Sequence, residues 1–87
     1  SNMWFLIALM LGTSPTGQID TFVWYKPQFE TVDECLEFAR SPVGVLAIRE
    51  RLGQEFPGRD LQNLYCIPEE KLKEFIQTTL DDNKIQA

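Results

Sequence analysis

Nine consecutive apolar residues, 3–11 (MWFLIALML), stand almost at the start of this 87-residue chain. That run limits the possible folds more than any other feature. A helix needs roughly 20 apolar residues to cross a bilayer, so the run is too short to be a transmembrane segment. A half-buried strand alternates apolar and polar side chains, and this run does not alternate. Three readings remain: a strand buried on both faces, a strand with one face against a partner, or the apolar part of a signal peptide. The length suits a signal, but no Lys or Arg precedes the run, and the TSPTGQIDTFVWY after it holds only a poor small-residue cleavage site. A strand is the expectation, with a signal or anchor as the alternative. Residues 1–2 read as an expression scar, 3–80 as a single domain and 81–87 as a frayed tail.

Gly12-Thr13-Ser14-Pro15-Thr16-Gly17 is a turn signal, and residues 19–25 (IDTFVWY) beyond it are β-branched and aromatic. Together with the opening run they read as a hairpin, its more amphipathic second strand at the sheet edge. Thr31-Val32-Asp33-Glu34 is a capping box that starts a helix over 32–39. Val32, Cys35, Leu36 and Ala39 share one face of that helix, with Phe38 at its margin. Ser41-Pro42 interrupts it and suits the N-cap and first position of a second helix, about 42–55, carrying Val45, Ile48, Leu52 and Phe56. Gly44 and Gly53 each weaken that helix by up to about 1 kcal/mol relative to alanine.

Residues 61–67 (LQNLYCI) read as a third strand. Pro68 then opens a last helix with Leu72, Phe75, Ile76, Thr79 and Leu80 at helical spacing. The order β-β-α-α-β-α predicts an α+β fold, a small antiparallel three-stranded sheet with helices packed on one face. The first strand is apolar on both sides, with Phe5, Ile7, Leu9 and Leu11 opposing Trp4, Leu6, Ala8 and Met10. The second face therefore needs a cover, either the remaining helix or another subunit.

Little of the sequence points to chemistry. Acidic residues outnumber basic ones 13 to 8, for a net charge of −5. The closest basic pair, Arg49 and Arg51, is flanked by Glu50 and Glu55, which disfavours nucleic acid and anionic membranes as partners. Histidine is absent, which removes the Ser–His–Asp and Cys–His nucleophilic sites and the commonest metal ligand. The turn 12–17 lacks the Gly-Lys-Ser/Thr ending of a phosphate loop and joins strand to strand. Asp33/Glu34 and Glu69/Glu70 sit in first turns of helices, where they complement the dipole, and Asp81/Asp82 open the frayed tail. No catalytic, cofactor-binding or metal-binding residue is assigned.

Cys35 and Cys66, 31 positions apart, leave two readings open. A disulfide would add roughly 3–4 kcal/mol by closing the loop between them. Alternatively each is a separate buried thiol, free cysteine being among the most buried residue types. A thiol redox role for this pair is the one enzymatic reading that has candidate residues. Trp4, Trp24, Tyr25 and Tyr65 suit a core or a protein interface; stacking on single-stranded nucleic acid needs basic neighbours, and only Lys26 is adjacent.

Met3-Trp4, the Phe29-x-Thr31-x-x-x-Cys35 helix entry and the Cys66-Ile67-Pro68 ending also carry a resemblance. Over most of residues 3–68 the chain resembles short, uncharacterised proteins of tailed bacteriophages, marine ones especially, and of some bacteria. These begin with an apolar strand and carry one cysteine early in the helix and another near the end. The resemblance implies no activity or cofactor, and residues 68–80 lie outside its pattern.

The expectation is a non-enzymatic protein-interaction or self-associating domain. It is read as a cytoplasmic homodimer (in the host cytoplasm if phage-encoded), joined through the sheet face or the first strand's edge. Trp4, Leu6, Ala8, Met10 and Trp24 form the candidate interface. The alternative is an exported or envelope-associated domain with an N-terminal signal or anchor and a Cys35–Cys66 disulfide.

Overall fold

A computed structural model describes residues 2–13 and 19–76. The apolar run lies within β1 (Trp4–Thr13), followed by β2 (Ile19–Phe29), α1 (Val32–Arg40), α2 (Pro42–Glu55), β3 (Leu61–Pro68) and a final helix, α3, described over residues 69–76. The strands form one antiparallel sheet in the order β2-β1-β3, so the most apolar strand is the central one. This is the expected α+β architecture. The expected frayed tail (81–87), the expected end of the last helix (77–80) and residues 14–18 of the expected turn lie outside the described residues.

Local chemistry sets the element boundaries. Thr31 caps α1, its Oγ1 accepting from the Glu34 amide at 3.1 Å. The Glu34 carboxylate answers by accepting from the Thr31 hydroxyl, also at 3.1 Å, a variant of the capping box in which the return bond goes to side chain rather than backbone. Pro42 disfavours helical geometry at the residue before it, and Ser41 accordingly sits extended at φ −72°, ψ 153°. Ser41 serves both helices: its Oγ donates to the Phe38 carbonyl and accepts from the Gly44 amide, each at 2.9 Å.

The tight α1–α2 corner also explains Gly44. A Cβ there would overlap the Phe38 carbonyl oxygen and stand 2.7 Å from the carbonyl carbon, whereas a Cβ on Gly53 meets nothing within 4 Å. The two glycines look alike in sequence; one is a packing requirement and the other is not.

β2 runs four residues past Tyr25, where the sequence suggested it would end. The Lys26–Pro27 peptide is cis, and the pairing with β1 breaks between Leu6 and Trp4 before Phe29 rejoins it opposite Trp4. An edge strand tolerates such a proline because its outer side owes no hydrogen bond to the sheet. Pro68 pairs with Trp4 as the last residue of β3, so α3 begins one residue later than expected.

The two sheet faces carry separate cores. Under α1 and α2 lie Leu6, Ala8, Met10 and Trp24, packed with Phe29, Cys35, Ile48 and Leu52. Leu6, Ala8, Met10 and Cys35 are at most 1% exposed. A buried side chain of leucine size contributes about 1.5–3 kcal/mol, so this cluster dominates the stability of the domain. On the opposite face Leu72 of α3 packs against Phe5 and Ile7, bordered by Met3, Val23, Ile67 and Phe75. The remaining helix is thus the cover that the second face required, so helices pack on both faces of the sheet rather than on one as expected, because β1 is apolar on both sides.

Candidate functional site

Placing β1 at the centre changes the candidate interface. Leu6, Ala8, Met10 and Trp24 are buried and Trp4 is packed against them, so this set is the main core and not an exposed contact surface. The physical reason is register. Cys66 pairs with Leu6 across the β1–β3 ladder, so the face that meets Cys35 is the Leu6 face, and α1 and α2 cover it. β1 also has no free edge, being paired on both sides.

Cys35 and Cys66 stand at disulfide bonding distance, with Cα atoms 6.1 Å apart. The pair ties α1 to β3 across the core, and Cys35 is fully buried. Asp33 and Glu34 occupy the first turn of α1, as expected. Glu69 and Glu70 begin α3, where Glu69 pairs with Lys73 at 3.4 Å and Glu70 accepts from the Asn2 side chain at 3.2 Å. Asp81 and Asp82 lie outside the described residues. No group of three metal-ligating side chains occurs among the described residues, nor is any described helix long and apolar enough to cross a membrane.

What remains open is the far part of the second face. There α3 covers Phe5 and Ile7 but leaves Tyr25 and Tyr65 56% and 44% exposed. Tyr65 is cross-strand from Ile7, and the Tyr25 ring meets Phe5 edge-on at a centroid distance of 6.1 Å. Tyr25 and Tyr65 thus border the small core. Elsewhere, Val43 and Leu46 stand exposed on the outer side of α2. An open cleft of about 310 Å³ is lined by Trp24, Lys26, Pro27, Phe38, Glu50 and Arg51.

Arg59 was not legible as a structural residue from sequence. Its guanidinium donates to the Leu11 carbonyl at 3.1 Å, the Gly12 carbonyl at 2.9 Å and the Asp20 carboxylate at 2.7 Å. It thereby clips the end of β1 and the start of β2 to the segment leading into β3. Gly12, at φ +82°, adopts a conformation that favours glycine, and its carbonyl meets this clip. An arginine fork can satisfy three acceptors at once, but nothing in the local pattern around Arg59-Asp60 signals that role.

No protein-family model, curated protein or solved structure matches the chain.

Proposed function

We propose that this chain is a non-enzymatic interaction domain that associates with a second copy of itself. The observation that carries this reading is the partly covered second face, where α3 shields Phe5 and Ile7 while Tyr25 and Tyr65 stay about half exposed beside them. Tyrosine suits such a surface: it offers large apolar area with a polar tip and is enriched at protein interfaces. The resemblance to short phage proteins adds no activity to this reading. Light scattering on eluting size-exclusion fractions, from low to high micromolar concentration, tests it. A mass that rises to the dimer supports the proposal, and a constant monomer mass overturns it.

A second reading, an exported domain, is favoured by one observation: Cys35 and Cys66 at bonding distance. Stable disulfides belong mainly to oxidising compartments. In this version β1 stays in the mature protein, because removing it would take out the central strand and parts of both cores. Thiol titration of protein from its native cells, quenched in acid, separates the readings: no free thiol supports export, and two support the cytoplasm.

A further inference from the structure

We infer that the outer edge of β3 is the surface of that self-association, two copies pairing their β3 strands antiparallel about a two-fold axis to make one continuous sheet. The inference rests on the self-association reading above and names its contact.

The two edges of the sheet differ in their protection. Edge strands invite pairing with other chains unless charges, prolines or bulges blunt them. β2 carries all three, with Asp20, Lys26, Pro27 and the break in register opposite Leu6 and Trp4. β3 (LQNLYCIP) has no charged residue, its proline comes only at the last position, and its one register shift, opposite Leu9 and Met10, lies near its start and leaves residues 63–68 in regular pairing. In a chain of net charge −5 this neutral stretch lets two copies meet without opposing like charges.

The backbone of β3 shows which groups face outward. Glu69 donates its amide to the Met3 carbonyl at 3.0 Å, and at the other end the Leu11 amide donates to the Asp60 carbonyl at 2.6 Å. The acceptor Met3 immediately precedes β1 and pairs with Glu69 in the register that holds from Trp4–Pro68 to Leu9–Asn63, so the odd-numbered residues of β1 turn their backbone groups to β3 over that stretch. Strand alternation then turns the amides of Ile67, Tyr65 and Asn63 towards β1, leaving those of Cys66 and Leu64 pointing away. Pro68, which has no N–H, falls on the outward side and closes that row. Among the described residues, no backbone bond outside the regular elements involves residues 61–68.

The exposed side chains of the strand fit a copy of themselves. Leu61, Gln62, Asn63 and Tyr65 are exposed. A two-fold contact opposes one patch to itself, so amides that both donate and accept, beside apolar Leu61 and Tyr65, satisfy their own kind. Tyr65 also borders the open part of the second face, which makes the new contact continuous with it.

The test combines light scattering with amide hydrogen exchange on the full chain. In the dimer, the Leu64 and Cys66 amides should exchange at least about tenfold more slowly at high than at low protein concentration. The Asn63→Lys/Tyr65→Lys double variant changes two exposed side chains. It should remain monomeric at high concentration, with an unchanged circular dichroism spectrum. Leu64→Pro, which removes one outward N–H, should also weaken the dimer. A dimer whose Leu64 and Cys66 amides exchange at a concentration-independent rate, or one that survives the double lysine variant, overturns the β3 edge and leaves self-association standing. A monomer at every concentration overturns both.

Discussion

The two faces of the central strand are built from equally apolar residues and end up unequally closed. The Leu6–Ala8–Met10 face is covered by two helices joined through Ser41 and held to β3 by the cysteine pair. Over the described residues, the Phe5–Ile7 face is covered by α3, whose buried contact is Leu72. Apolarity alone therefore does not decide which face becomes the core. The decision lies in where long-range partners attach, and the less covered face retains exposed tyrosines.

This contrast can be challenged by substitution. The largest loss is expected for Leu6→Ala, about 3–5 kcal/mol, because the site is sealed on all sides and collapses poorly. Chemical denaturation measures it. Reducing the Cys35–Cys66 pair should cost roughly 3–4 kcal/mol for a closed loop of this length, read as a lower denaturation midpoint in reductant. Gly44→Ala should cost about 2–3 kcal/mol, since the added methyl meets backbone of α1 that cannot step aside. Leu72→Ala, on the lightly covered face, should cost only about 2 kcal/mol because that cluster has room to relax. Gly53→Ala should stabilise by about 0.5–1 kcal/mol, its methyl entering open space in a helix. If Leu72→Ala costs as much as Leu6→Ala, the faces are equivalent and the contrast fails.

The elements with local signals were legible in the sequence. Thr31 and Glu34 marked the start of α1, Ser41-Pro42 marked the joint, and residues 61–67 marked β3, because capping and turn chemistry act over a few residues. The face assignment was not legible: the sequence offers Trp4, Leu6, Ala8, Met10 and Trp24 as a candidate interface, whereas Leu6, Ala8, Met10 and Trp24 lie in the main core with Trp4 packed against it. Both sides of β1 are apolar, so the answer depended on the register that pairs Leu6 with Cys66, a non-local fact. Gly44 and Arg59 escaped for the same reason: each acts through an approach made only in the folded chain. The cysteines gave the one available hint. Had their pairing been assumed, Cys66 and its strand neighbour Leu64 would have marked the side of the sheet that α1 covers.

Native-state amide hydrogen exchange tests most directly whether one face is sealed and the other lightly closed. Amides of α3 should exchange through openings well below the global unfolding free energy, while those at the buried turns of α1 and α2 around Cys35, Ile48 and Leu52 exchange only on global unfolding. Equal opening free energies for α3 and for α1 and α2 would contradict it.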